Sequence, residues 1–251
     1  MAAGASTDIV WTSLIPGLNW LEKYFTNPET GAPGYHVSNG ILVSLIILLL
    51  VVLGTSKLKK GELSDDDLVP DATLTVRNFL ELMVTAIRGI MKDSLGAAAP
   101  RFLYLIGTFG FFILFSNLSG LVPGFMPPTD NINTTLALAL IVFVAYNAYG
   151  IAEHGAVKYA AHFCGPFWWL AWLMLPIEII SHCARPMSLS LRLFGNIMGD
   201  HLVGAIFFML APLVVPVFTS VLGLFVSFVQ TFVFILLAMV YISGAIAHEE
   251  H

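Results

Sequence analysis

Residues 176–204 read PIEIISHCARPMSLSLRLFGNIMGDHLVG. Apolar sequence flanks the stretch on both sides, yet it holds Glu178, His182, Arg185, Arg192, Asn196, Asp200 and His201. An ionisable side chain inside a membrane span costs about 2.5–3.5 kcal/mol on insertion scales, so such groups line a water-filled or ion-conducting path. The rest of the chain reads as scaffolding for this helix.

Composition sets the class. Mean hydropathy is +0.85 and only 11% of the 251 residues are charged, against roughly 25% in a soluble globular domain. The expectation is an all-α polytopic membrane protein forming a single membrane domain, residues 1–251. A net charge of −5 gives no sign of nucleic-acid binding. Cys164 and Cys183 have no CxxC or metal spacing and read as two buried, inert thiols. The first 38 residues lack a basic segment followed by an apolar core, so no cleavable signal peptide is expected. Trp11, Pro16, Trp20, Tyr24 and Phe25 read either as a short interfacial segment or as a partly ordered tail.

Spans are expected at 39–57, 101–122 and 131–152, each long enough for a hydrocarbon core of about 30 Å. Residues 71–96 differ. Val76, Phe79, Leu80, Met83, Ile87, Ile90 and Met91 recur at helical spacing, with Arg77, Glu81, Arg88 and Lys92 on the other face. That pattern predicts an amphipathic helix lying on the membrane. Residues 153–166 read as a polar connection, and Phe167, Trp168, Trp169 and Trp172 as an interfacial anchor. Two long helices follow, at 167–210 and 213–247, making five membrane-embedded helices. At ~1.5 Å per residue the pair would reach roughly 65 Å and 50 Å. Tilts of about 20° cannot absorb that excess, so the helices either break, for which Pro176 and Pro186 offer sites, or lie strongly inclined. Lys57, Lys59, Lys60, Arg77, Arg88, Lys92, Arg101 and Lys158 fall in connections on one side of this topology. The positive-inside rule then puts the N-terminus outside and the C-terminus in the cytoplasm.

On a wheel of about 100° per residue, Glu178, His182, Arg185, Leu189, Arg192, Asn196 and Asp200 share one stripe. Ser188, Gly195 and Gly199 flank Arg192, giving a smooth surface fit for another helix. Glu178 lies roughly 21 Å before the arginine along the axis and Asp200 roughly 12 Å after it. Acids towards opposite membrane faces, with a cation between, can offer protons from each side while blocking a direct path. Arginine keeps its charge and attracts a carboxylate without relaying a proton. His201 points away from this stripe, into the fold. Plainer readings exist: a Glu178–Arg185 or Glu178–His182 ion pair that settles the fold, Asn196 and Gln230 as helix–helix glue, and His201 as a satisfied core histidine. Arg192 resists them, because no acid lies within one helical turn. His182 and His201 fall about 100° apart on the wheel and would not face one haem. No nucleotide-binding loop or cofactor motif is present; the alternative of a stand-alone ion channel or secondary transporter would call for its own substrate cavity and internal repeats, and the sequence shows no convincing repeat.

RPMSLSLRLFGN resembles the signature of the a subunit of F-type ATP synthases, and GLVPGFMPPTDNINTTLALAL and VQTFVFILLAMVYISGAIAHEEH resemble the same family. The likeness covers residues 101–251 well and 78–100 loosely. It implies a non-catalytic stator subunit of a bacterial cytoplasmic-membrane ATP synthase, partnered by a c-subunit ring and b subunits, with H⁺ as the transported ion and no cofactor. Its last two helices would lie inclined against the ring. Arg192 matches the arginine that faces the ring carboxylate and separates two half-channels. Glu178 matches an acid of the cytoplasmic half-channel, and Asn196 and Gln230 match polar residues near the arginine. Asp200 and His201 fall where the outer half-channel has titratable groups. Many relatives carry Glu at the His201 position and some carry His at the Gly223 position, so both Asp200 and His201 remain candidates for the inward relay.

Overall fold

The computed structural model describes residues 24, 34–56, 75–122, 124–162, 171–210 and 215–246. The expectations for most of the N-terminal tail, for Lys57–Lys60, Cys164, Phe167, Trp168 and Trp169, for residues 211–214 and for the tail at 247–251 lie outside these residues. Every described element is helical: α1 (Tyr35–Thr55), α2 (Val76–Leu95), α3 (Ala99–Ser119), α4 (Ile132–His154), α5 (Ala156–His162), α6 (Ala171–Leu210) and α7 (Val215–Ile246), with 3₁₀ turns at Gly96–Ala98 and Pro128–Asp130. Helices satisfy their backbone polar groups internally, which lipid demands.

Four stretches are long and apolar enough to cross a membrane: Tyr35–Thr55, Val76–Ser119, Ile132–His154 and Val217–Ile246. Helix α6 is longer than most of these. It runs for 40 residues with Pro176 and Pro186 inside it, about 60 Å at the helical rise. The prolines therefore do not divide it into two helices, although each removes one backbone donor.

Helices α3, α4, α6 and α7 share one core. Phe102, Ile106, Tyr146, Leu193, Phe234 and Ile242 are fully or almost fully buried in it. The Phe102 and Tyr149 rings meet edge-on with centroids 4.7 Å apart, a favoured aromatic geometry. Ile87, Met91 and Leu95 carry the apolar face of α2 into the same core, while Glu81, Arg88 and Lys92 stay exposed. Thr75 caps α2 by accepting from the Asn78 N–H at 3.3 Å. Gly96 at φ 54° then turns the chain into α3, a conformation that favours glycine. Leu45, Leu48, Leu49 and Val52 of α1 remain exposed, as expected of a face that meets lipid.

Two expectations change. The stretch 153–166, read as a connection, contains α5, which starts after Gly155 at φ 80°. Tyr159 of α5 packs so closely on Gly150 that a methyl group there would lie 2.5 Å from the ring. Cys183 is exposed and free, not buried. The buried face of α6 runs through Pro186, Leu189, Ser190, Leu193 and Ile197, and Cys183 stands uncovered at the edge of that face.

Candidate functional site

The site is built along α6. Its inner face packs on α4 and α7, with Leu189, Leu193 and Ile197 buried and Ser190 Oγ 3.1 Å from Thr135 Oγ1. The polar stripe drawn from the sequence straddles the edge of this face. His182 and Leu189 are buried, Glu178, Arg185 and Asp200 are half-buried, and Arg192 and Asn196 are exposed. A stripe about 80° wide on a helix that buries its neighbouring sector must split in this way.

Arg192 is exposed and makes no ion pair or hydrogen bond among the described residues. Ser188 and Gly195 are exposed beside it. A methyl group added at Gly195 or Gly199 would meet nothing within 4 Å. The guanidinium thus stands on an open, low-relief strip of helix. One turn further on, Asn196 Nδ2 donates to Gln230 Oε1 of α7, and Gln230 is only 3% exposed. This bond joins two of the sequence candidates directly.

Beyond Asn196 towards the C-terminal end of α6 lies a cavity of about 430 Å³. Asn117 and Gly120 of α3, Asp200 and His201 of α6, and Gly223 and Ser227 of α7 line it. Both relay candidates therefore share one hollow. His201 Nε2 approaches Gly120 so closely that a methyl group there would lie 3.3 Å from it. Its ring thus reaches α3, but the residue is exposed, not enclosed in the fold as the wheel had suggested. Asp130, in the turn between α3 and α4, is half-buried. Burial pushes its carboxyl above the ordinary carboxylate value, while positive charge on His201 pulls it the other way.

A second polar cluster sits near the other end of the buried seam. His182 Nε2 lies 2.8 Å from Asn147 Oδ1 and 3.3 Å from the Tyr146 hydroxyl. Tyr159 of α5 donates to the same Asn147 oxygen at 2.9 Å. Burial raises the Tyr159 phenol above its ordinary value, with Arg185 opposing, so it stays a neutral donor at working pH. Arg185 Nη2 lies 3.8 Å from Glu178 Oε1, and its guanidinium carbon is 5.8 Å from the Tyr241 ring centroid. Glu178 thus keeps company with Arg185 and stands apart from Arg192.

Asp130, Asn117, Asn147 and Ser227 were not singled out as site residues by the sequence. A signal existed for Asp130: an acid inside PPTDNINTT, one residue after two prolines. Asn147 and Ser227 gave none, since a lone polar residue in a span reads equally as helix–helix glue. No group of three His, Cys, Asp or Glu side chains that could hold a metal occurs among the described residues. The arrangement is suited to moving protons: titratable groups and hydroxyls at two levels, and a fixed positive charge between them on an open face.

The sequence matches the ATP synthase A chain family over residues 38–243. It is 45% identical over 237 residues to ATP synthase subunit a 1 of Syntrophotalea carbinolica, covering 93% of this chain and 97% of that one. It is 46% identical to ATP synthase subunit a of Geobacter sulfurreducens over 223 residues, 89% and 91% of the two chains. The subunit a of Trichlorobacter lovleyi is 47% identical over 209 residues, 83% and 85% of the two. With a match over most of its length and relatives of this closeness, the chain belongs to the ATP synthase A chain family.

Proposed function

We propose that this chain is the proton-conducting stator subunit of a bacterial ATP synthase. It loads and unloads protons on the carboxylates of a rotating c-subunit ring and leaves ATP chemistry to other subunits. The cavity at Asp200 and His201 is the outer half-channel, and the Glu178 region is the inner one. Arg192 separates them. A proton enters from outside, neutralises a ring carboxylate and lets that site turn into lipid. After nearly a full turn the site reaches the inner half-channel and releases its proton. A membrane potential supplies about 2.3 kcal/mol per charge per 100 mV for this. Arg192 attracts each deprotonated carboxylate and stops both backward slip and direct proton passage. The protein sits in the cytoplasmic membrane with its N-terminus outside and its C-terminus inside, held by the ring, the b subunits and lipid. Helices α6 and α7 lie inclined along the ring, which accounts for their length.

The observation that carries this reading is Arg192 itself. It is an exposed cation in an apolar chain, unpartnered among the described residues, on a strip that Ser188, Gly195 and Gly199 leave bare. A charge in such a place needs a counter-charge from another chain. Cross-linking tests it. A Gly195→Cys variant, paired with a cysteine on the outward face of the ring helix, should form an a–c disulfide under mild oxidation. That disulfide should stop ATP-driven proton pumping until it is reduced. Absence of cross-linking at every ring position, in complexes that retain both subunits, would contradict the reading.

A further inference from the structure

Glu178 and Arg185 lie about two turns apart on α6, and their side chains approach each other. A carboxylate and a guanidinium that are free to meet close to about 2.7–2.9 Å, often through two parallel bonds. Here Arg185 Nη2 stops 3.8 Å from Glu178 Oε1, beyond hydrogen-bond reach. The guanidinium has a second partner. Its carbon lies 5.8 Å from the centre of the Tyr241 ring of α7, within range of a cation–π contact. Tyr241 is backed by Tyr146 of α4, whose ring centre is 6.1 Å away. Tyr146 is 1% exposed and is itself braced by His182. The Tyr146 and His182 rings meet edge-on at 5.2 Å, and the Tyr146 hydroxyl lies 3.3 Å from His182 Nε2.

Asn147 fixes the brace. Its Nδ2 donates to the Phe143 carbonyl at 2.7 Å, a group that can only accept. Asn147 Oδ1 is therefore the atom that faces His182 Nε2 at 2.8 Å. An acceptor at that distance requires Nε2 to carry a hydrogen, which sets the tautomer and the direction of the ring.

We infer that Tyr241, braced by Tyr146 and His182, is a positioning residue that holds Arg185 off Glu178, so that Glu178 stays able to take up and release a proton. A tight ion pair would keep the carboxylate charged. The ring can compete for the guanidinium because both charged side chains are about one-third exposed. An ion pair gains little in such a setting, and a cation–π contact gains at least as much. The role rests on the reading above that puts Glu178 on the inner side of the proton path. The charged and titratable groups around the pair are His182 on the same helix, Tyr146 of α4, Tyr159 of α5 and Tyr241 of α7. Tyr241→Leu exchanges one uncharged side chain for another, so it acts through the position of Arg185.

The test reads a pH profile and a distance. Inverted vesicles stripped of the catalytic sector take up protons when a potential drives them inward. The outer medium bathes the Glu178 side, and uptake should fall as its pH rises. In Tyr241→Leu the falling limb should lie about one pH unit lower, a tenfold change in the proton concentration required. Tyr241→Phe keeps the ring face and should retain the wild-type curve. In an Arg185→Gln background, Tyr241→Leu should cause no further shift. A wild-type curve in Tyr241→Leu, an equal shift in Tyr241→Phe, or the same shift without Arg185 would each overturn the proposal. In cryo-EM maps of the intact complex, Arg185 and Glu178 should close to about 2.7–3.2 Å in Tyr241→Leu. An unchanged separation would show that the reach of the two side chains, not the ring, sets the gap, and would overturn it too. If Tyr241→Leu does not assemble, Tyr241→Met, which is closer in volume and has no ring face, replaces it in every arm. Glu178→Gln separates the two claims. Unchanged uptake in that variant would remove Glu178 from the path, while the distance in the map would still decide whether Tyr241 holds Arg185 back.

Discussion

Asn196 of α6 and Gln230 of α7 are joined by a side-chain hydrogen bond one helical turn from Arg192. Gln230 is buried while Asn196 opens towards the exposed strip. The bond fixes the relative register of the two long helices beside the arginine. In Gln230→Leu, Asn196 would lose its partner and the pair would lose about 1 kcal/mol of stabilisation. The expected outcome is a lower unfolding midpoint for the purified subunit and reduced, but not abolished, pumping. An unchanged midpoint with unchanged pumping would refute that role for the pair.

Glu178 lies 3.8 Å from Arg185, and both side chains are about one-third exposed. A pair in that setting contributes about 0–1 kcal/mol, so its loss should be visible in transport more than in stability. Glu178→Gln should slow ATP-driven proton uptake into inverted vesicles without stopping it. An unchanged rate would remove Glu178 from the inner path.

His201 and Gly223 face one cavity from α6 and α7. That juxtaposition explains how a titratable group at either position could serve the same hollow, which the resemblance left as an exchange between distant positions. A methyl group at Gly223 would lie 3.1 Å from Leu121 Cδ2, the far end of a flexible side chain, so Gly223→Ala should be a mild change. His201→Ala should impair proton flux more than Gly223→Ala. Equal and negligible effects in the two variants would leave Asp200 as the relay.

Asp130 carries a pH signature. Burial raises its carboxyl above the ordinary value of 3.8, against the pull of His201. The folded state therefore binds this proton more tightly than the unfolded state. Its contribution to stability is full below the unfolded value and is lost as pH rises through the folded one. In Asp130→Asn that loss should disappear. Unfolding midpoints measured from just above pH 3.8 upwards should fall for the wild type and stay flatter for the variant, while proton flux through the variant drops. Parallel pH curves for the two proteins would contradict the assignment.

The helical, membrane-spanning character was legible because apolar runs of span length and a charged fraction of 11% leave few alternatives. The buried face of α2 was legible for a related reason: Ile87 and Met91 fall on the apolar side of a helical repeat and both are buried. Helix α5 was hidden, since a turn after Gly155 and the packing of Tyr159 on Gly150 depend on a neighbour that periodicity does not see. The wheel grouped His182 with Arg192, but packing on α4 put His182 against Asn147 and left Arg192 outside. Cys183 shows the reverse: an apolar-prone residue left uncovered at the edge of the packed face of a long helix. What the sequence lacked in each case was the identity of the partner element. For Asp130 the missing partner was His201, far along the chain and brought near only by the fold.

The central claim is that the lone arginine on the bare strip of α6 couples ring rotation to proton flow. The most direct measurement is ATP-driven proton pumping in inverted vesicles carrying Arg192→Ala, with assembly checked by recovery of the c ring and b subunits. The account predicts no pumping from an assembled complex that still hydrolyses ATP. Pumping at the wild-type rate would contradict it.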